Sequence, residues 1–150
     1  PTLGSAHAVL SAGLVSRRSQ LIQECSADCV VIIPSRDNDM SKYRLRLPEA
    51  VTRVESAQTA AQLVEVLGDE IDRSREPRVI DVGPKWLVAK MPSIDQLLAI
   101  TPALDAMQSL EESLGITGVT LYAESSVGIE VRSFAPSQGV DEDPLVKAPP

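Results

Sequence analysis

Residues 129–144 read IEVRSFAPSQGVDEDP, a stretch that joins a strand pattern to an acidic loop ending in proline. Apolar and polar residues alternate over residues 127–134, which is typical of a β-strand with one buried face. The alternation stops before Pro136, and the loop that follows carries three carboxylates within residues 141–143. Taken alone, three carboxylates near the end of a sequence favour a solvated acidic tail.

The alternating patterns and helix signals continue outward from this stretch. Residues 118–123 also alternate and predict a hairpin or sheet corner with residues 127–134. Capping residues and apolar residues at helical spacing predict four helices. They cover residues 3–14, 57–67, 94–100 and 101–114, and further strands are predicted at 20–25, 29–33, 43–47, 79–82 and 86–90. The first three of those strands resemble an antiparallel meander, so the sequence predicts an α+β chain.

Side-chain burial can be predicted at three places. The small and apolar residues of the first helix predict that it is largely buried. Glu111 and Glu112 are predicted on the exposed side of the fourth helix. Cys25 and Cys29 are predicted to be buried free thiols. Residues four apart in an extended segment are separated by about 13 Å. That separation is too large for a disulfide.

Composition limits the class of partner. The chain of 150 residues has 43% hydrophobic residues, which suits a soluble globular protein, and a net charge of −7. That charge disfavours nucleic acid and anionic membrane surfaces, because both require clustered Lys and Arg. The sequence shows neither a membrane-spanning apolar run nor a signal-peptide pattern, so we expect a cytoplasmic location. One histidine and two cysteines are too few for a structural zinc site, and no metal is expected.

Three stretches together carry a family resemblance. They are PTLGSAHAVLSAG (1–13), VIDVGPKWLVAKM (79–91) and the 129–144 stretch. In this order they resemble the PhzF-like isomerases of phenazine biosynthesis. The resemblance implies a diaminopimelate-epimerase-like fold with two similar lobes, each a sheet curled around a central helix, and an active site in the cleft between them. We expect residues 1–76 to be the remainder of the first lobe with its central helix. Residues 77–150 would be a partial second lobe that lacks its own.

The resemblance also implies site residues. Asp143 resembles the family's active-site aspartate, which gives the acidic loop a second interpretation beside the solvated tail. Gly4 and Ser5 lie at a small-residue helix entry whose backbone N–H groups can bind a substrate carboxylate, and an ordinary N-cap at Ser5 is the alternative. Glu142 could raise the pKa of Asp143. No organic cofactor is implied, and a small-molecule substrate is the expected partner.

Three residues are weighed against other roles. His7 is interpreted as a packing or capping residue, although it is the only histidine in the sequence. Trp86 is interpreted as core at a lobe junction. An exposed Pro1 could act as a general base, as in tautomerases, but those enzymes follow the proline with a strand, whereas the sequence here predicts a helix.

The sequence departs from the family pattern at both ends. Family chains are about twice as long, and their Gly-His pair and general acid/base glutamate would precede Pro1. After Asp143-Pro144 the sequence reads LVKAPP, in place of the small, Gly-Ser-rich turn that opens the second central helix. We therefore expect a truncated proton-transfer isomerase that is inactive alone; the alternative is a non-catalytic remnant or interaction module. Apolar strand faces around 119–121 and 129–131 are predicted to be poorly covered, which makes a homodimer possible.

Overall fold

A computed structural model of the chain describes residues 2–16, 20–24, 29–34, 43–46 and 49–143. The chain divides into two compact units, Pro1–Ala50 (unit 1) and Val51–Pro150 (unit 2). Each unit contains a β-sheet and at least one helix, so the predicted α+β class is confirmed. The predicted lobes, residues 1–76 and 77–150, stay a prediction. Within the described ranges, no helix has both the length and the apolar character that crossing a membrane requires.

The described residues of unit 1 form one helix and a three-stranded antiparallel sheet. The helix is α1 (Thr2–Ser11), and the strands are β1 (Leu21–Glu24), β2 (Cys29–Pro34) and β3 (Tyr43–Arg46) in the spatial order β1-β2-β3. Ile32 of the central strand lies opposite Leu21 on one side and Leu45 on the other. This arrangement confirms the predicted meander.

Burial in unit 1 differs from the prediction. Ala6 is the only residue of α1 whose described side chain is buried, so the prediction of a largely buried helix is wrong. The physical reason is that a helix beside one small sheet can bury only one of its sides. His7 is exposed and lies 3.3 Å from the Tyr43 hydroxyl through its Nδ1 atom, which links α1 to β3. Cys29 is exposed rather than buried, and Cys25 lies outside the described residues.

Unit 2 contains a five-stranded sheet, three helices and a short 3₁₀ turn. The strand order is β4-β5-β6-β7-β8, antiparallel throughout except for the parallel pair β6 and β7. The elements are β4 (Val51–Val54), α2 (Ala57–Leu67), β5 (Arg78–Asp81), β6 (Lys85–Lys90), α3 (Ile94–Ala99), α4 (Leu104–Leu114), β7 (Gly118–Ser125), β8 (Gly128–Phe134) and the 3₁₀ turn Pro136–Gln138. All of these elements were predicted except β4 and the 3₁₀ turn.

The helix ends of unit 2 follow local chemistry. Ser56 caps α2 by accepting a hydrogen bond from the Thr59 N–H at 3.1 Å, and Ser93 caps α3 in the same way through Gln96. Gly68 ends α2 with a φ of 66°, a left-handed conformation that favours glycine.

The helices cover one face of the unit 2 sheet. Leu87, Val119 and Leu121 point to this face and are fully buried together with side chains of α2, α3 and α4. The prediction that residues 119–121 are poorly covered is therefore wrong, because α3 packs on β7 and the core that buries these residues also contains side chains of α2 and α4. Ile129, in contrast, is 57% exposed, as predicted for the neighbouring strand.

The burial of Glu111 also differs from the prediction. It was predicted on the exposed side of α4, but its side chain is completely buried, whereas Glu112 is exposed. One carboxylate oxygen accepts the Ser137 N–H at 2.9 Å, and the other has no hydrogen-bond partner within the described chain. Burial raises the pKa of Glu111, and the hydrogen bond from Ser137 opposes part of that effect. The 3₁₀ turn thus closes over a carboxyl group that the helical pattern placed in water.

The opposite face of the unit 2 sheet carries no helix among the described elements and is called the open face. Its half-buried side chains are both apolar and polar: Ile80, Trp86, Val88, Lys90, Thr120 and Tyr122. Trp86 belongs to this face and not to the buried core, contrary to its predicted role. The open face is where the candidate site lies.

Candidate functional site

Asp143 lies beside a cavity on the open face. The cavity has a volume of about 330 Å³, and Asp143 is the only titratable side chain among its described lining residues. The other lining residues are Ile80, Val82, Trp86, Val88, Thr120 and Ser133. A carboxylate against apolar and aromatic side chains is an arrangement found at proton-transfer sites.

The loop that carries Asp143 is tied back to the end of β8. Ala135 and Val140 exchange two backbone hydrogen bonds of 3.0 and 3.2 Å, which close the loop around the 3₁₀ turn. The Asp143 N–H then donates to the Ser133 carbonyl at 2.9 Å. Asp143 is half-buried, whereas Asp141 is exposed. The two aspartates, equivalent in a solvated tail, therefore have different surroundings.

Arg132 fixes the same loop through Glu142. Its Nε and Nη2 atoms each donate to one oxygen of Glu142 at 2.9 Å, which is the strong bidentate geometry of an Arg–carboxylate pair. Its Nη1 atom donates to the carbonyls of Leu97 and Ile100 at 2.9 and 2.8 Å, at the end of α3. The guanidinium also lies 5.0 Å from the ring centroid of Phe134. Arg132 thus joins β8, α3 and the acidic loop.

The ion pair gives Glu142 an observed structural role, since its carboxylate lies 2.9 Å from Arg132. Its predicted influence on Asp143 stays a prediction. Sequence analysis did not single out Arg132. The available signal was an arginine within the alternating strand pattern, ten positions before Glu142.

Two hydroxyl groups form the polar part of the cavity wall. Thr120 Oγ1 and Ser133 Oγ lie 2.9 Å apart on the neighbouring strands β7 and β8. Ser133 is almost completely buried, and Thr120 is half-buried. The cavity therefore offers one carboxylate, two hydroxyls that can donate or accept hydrogen bonds, and an indole ring.

Gly4 and Ser5 lie in the first turn of α1 and are exposed. The helix begins at Thr2, so Ser5 is inside it, and the alternative of an N-cap at Ser5 is wrong. The Gly4 N–H belongs to the first turn of the helix, whose N–H groups have no partner within a helix. Ser5 lines a cavity of about 880 Å³ in unit 1, together with Val9 and Ile32 among others. Gly4 and Ser5 belong to unit 1 and Asp143 to unit 2, so their sharing one site stays a prediction.

Comparison with known proteins identifies similar sequences. A family model described as "Phenazine biosynthesis-like protein" (PhzC-PhzF) matches residues 1–146. "Antisense-enhancing sequence 1" of Schizosaccharomyces pombe is 31% identical over 150 residues, which cover 96% of this chain and 51% of that protein. "Uncharacterized isomerase C186.06" of the same organism is 28% identical over 106 residues, which cover 68% of this chain and 58% of that protein. The chain spans about half the length of the curated relatives that it matches.

Solved structures show the same fold. The phenazine biosynthesis protein of the PhzF family from Bacillus anthracis aligns with a TM-score of 0.75 at 18% identity, over 98% of this chain and 52% of that chain. A PhzF-family protein from Enterococcus faecalis aligns with a TM-score of 0.59 at 20% identity, over 95% of this chain and 49% of that chain. The diaminopimelate-epimerase-like fold that the resemblance implied is therefore confirmed.

Proposed function

Because the chain belongs to the phenazine biosynthesis-like (PhzC-PhzF) family, we propose that it forms part of an isomerase that moves a proton within a small molecule. One curated relative is named as an isomerase, which supports this reaction class. The structural observation that carries the proposal is the position of Asp143, half-buried and anchored through its backbone at the wall of a cavity. The substrate is a small cyclic or amino-acid-like molecule, and no cofactor takes part.

Asp143 takes or returns the migrating proton in this proposal. Trp86 and Ile80 line the same cavity as the carboxylate, so Asp143 lies where it can exchange a proton with a bound substrate. The paired hydroxyls of Thr120 and Ser133 orient a polar group of the substrate. Within unit 1, the first turn of α1 at Gly4 and Ser5 is the proposed contact for a carboxylate group.

The proposed reaction needs a second proton-transfer group. An isomerisation removes a proton at one position and delivers one at another, so an acid and a base must both reach the substrate. Asp143 alone provides a titratable group among the described lining residues of its cavity. We therefore expect no turnover from these 150 residues by themselves, and we propose that the second group is supplied from outside them.

The test compares Asp143→Asn with Asp141→Asn. The assay uses a chimera in which flanking segments of "Antisense-enhancing sequence 1" of Schizosaccharomyces pombe are joined to both ends of this chain. Solvent-deuterium exchange into cyclic amino and hydroxy acids is measured by NMR. We expect Asp143→Asn to lower the exchange rate by about 10²–10⁴-fold, as for the loss of a positioned acid or base. Asp141→Asn is the matched control, because Asp141 is exposed and does not line the cavity.

The proposal is contradicted if the Asp143→Asn and Asp141→Asn variants have the same exchange rate. Equal, near-native rates in both variants would support the interpretation of the acidic loop as a solvated tail without a catalytic role. Exchange by the unextended 150-residue chain that Asp143→Asn abolishes would instead overturn the requirement for a second group from outside.

A further inference from the structure

We propose that a second cavity on the open face binds a small organic anion. This cavity has a volume of about 580 Å³, within the range of about 300–1,000 Å³ common for small-molecule sites. Its lining includes four cations, Arg73, Arg75, Arg78 and Lys90, against one carboxylate, Glu76. The inference goes beyond the proposed isomerase reaction and does not depend on it.

The charge of this cavity opposes that of the whole chain. The sequence has a net charge of −7, yet the lining carries an excess of positive charge. Polyanions such as nucleic acid are disfavoured, because the rest of the surface would repel them at long range. A small anion meets only the local field of the cavity, so it is the class of ligand that fits.

Two of the four cations have no compensating partner in the described chain. Arg73 pairs with Glu70 at 3.3 Å, and Lys90 pairs with Asp72 and Glu124 at 3.3 and 3.0 Å. The guanidinium groups of Arg75 and Arg78 form no ion pair or side-chain hydrogen bond with described residues. A guanidinium group presents paired N–H donors that match the oxygens of a carboxylate, sulfonate or phosphate.

The turn that carries Arg75 is held against the sheet. The Asp72 N–H donates to the Lys90 carbonyl at 2.8 Å, and the Asp72 carboxylate accepts the Ser74 N–H at 2.9 Å. The hydrogen bonds from Ser74 lower the pKa of Asp72, and those to Glu124 and Asp72 raise the pKa of Lys90. Both groups therefore keep their charges at neutral pH, and the turn keeps its cations at the cavity.

Apolar side chains define the second requirement for the ligand. Ile80 and Val88 line the cavity and are half-buried, and Tyr122 adds an aromatic ring. An inorganic ion would leave this apolar wall in contact with water, whereas an organic anion covers it and gains hydrophobic free energy. The structure therefore favours a ligand with one anionic group and an apolar body.

The binding test uses the purified 150-residue chain and three probes: hexanoate, 1-hexanol and inorganic phosphate. We expect hexanoate to give saturable NMR shifts at the amides of residues 73–76, 78 and 88–90 and at Tyr122. Hexanol, which shares the apolar body but not the charge, should bind at least about tenfold more weakly, the effect of losing one charge-assisted contact. Added salt should weaken hexanoate binding.

Two variants test the assignment to the arginines. Arg75→Gln and Arg78→Gln should each weaken hexanoate binding by about tenfold, and both side chains are on exposed residues, so folding should be preserved. Arg53→Gln is the matched control, since Arg53 is an exposed arginine on β4 that does not line the cavity. Equal binding by all three variants, equal affinity for hexanol, binding of phosphate alone, or no shift up to about 20 mM hexanoate would each overturn the proposal.

Discussion

Units 1 and 2 both combine helices with antiparallel strands, yet they bury very different amounts of apolar surface. In unit 2 the helices pack against one face of a five-stranded sheet, and Leu87 and Leu121 are completely buried. In unit 1 the hydrophobic side chains described as buried are Ala6 and Ile32, while Leu14 is 75% exposed. The difference shows that helices and strands form a buried core only where a second layer of secondary structure packs against them.

The largest expected effect contrasts one apolar side chain from each unit. Leu121→Ala should lower the free energy of unfolding of unit 2 by about 3 kcal/mol, because it leaves a cavity in a filled core. Ile22→Ala should cost less than about 0.5 kcal/mol, because Ile22 is 64% exposed. Urea unfolding followed by fluorescence of Trp86, the single tryptophan, measures the effect on unit 2.

A comparable loss from the two substitutions would break the contrast between the units. That outcome would mean that Ile22 is covered in solution. Circular dichroism on the same urea series provides the second signal, because it reports on strands and helices of both units.

The next effect tests what holds the acidic loop on unit 2. Arg132→Ala removes the bidentate pair with Glu142 and two hydrogen bonds to the end of α3, and should destabilise unit 2 by about 2 kcal/mol. Arg73→Ala breaks a pair with Glu70 in which the two side chains are 68% and 65% exposed, and should cost less than about 0.5 kcal/mol. Thermal unfolding of both variants compares them directly, and equal losses would contradict a structural role of the Arg132 network.

Local sequence patterns predicted most elements of the fold but not their burial. Helix α2 was predicted at its observed limits because apolar spacing and a terminating glycine are signals that act within a few residues. The burial of Glu111 depends on Ser137, 26 positions away, and no helical pattern contains that information. Strand β4 was missed because its four residues are all exposed and do not alternate strictly between apolar and polar.

The candidate site was less predictable than the fold. Nothing in the local sequence distinguishes Asp143 from Asp141, and only the family resemblance singled out Asp143. The structure separates them by burial, because the bridge between Ala135 and Val140 turns the loop back toward β8. Arg132 was missed because its partners at the end of α3 lie more than thirty positions away in the sequence.

A smaller effect of opposite sign concerns the buried carboxyl of unit 2. Glu111→Gln should stabilise the protein by about 1 kcal/mol at pH 8, the low end of the cost of a poorly solvated buried group. Glutamine keeps an oxygen for the Ser137 N–H and carries no charge to desolvate. Chemical denaturation at several pH values measures the difference, and Glu112→Gln, at an exposed neighbour, is the control.

The pH dependence of this effect follows from the raised pKa. Burial raises the pKa of Glu111 in the folded protein above its ordinary value of 4.5. At pH values between 4.5 and the raised pKa, the folded state binds more protons than the unfolded state. The stability contributed by Glu111 therefore falls as the pH rises through this range. The advantage of Glu111→Gln should therefore be small near pH 4 and grow with pH. An advantage that is constant with pH would contradict the assignment.

The smallest expected effect uses one substitution at two glycines. A Cβ atom added at Gly4 meets nothing within 4 Å, so Gly4→Ala should stabilise α1 by about 0.5 kcal/mol through helix propensity. At Gly118 in unit 2 an added Cβ lies 2.6 Å from Trp86 Cζ3 and also meets the Phe134 carbonyl, so Gly118→Ala should destabilise. Amide hydrogen exchange measures the first effect as roughly twofold slower exchange in α1. Faster exchange in Gly4→Ala would show that Gly4 is packed in solution, and the contrast between an open unit 1 and a filled unit 2 would then fail at α1.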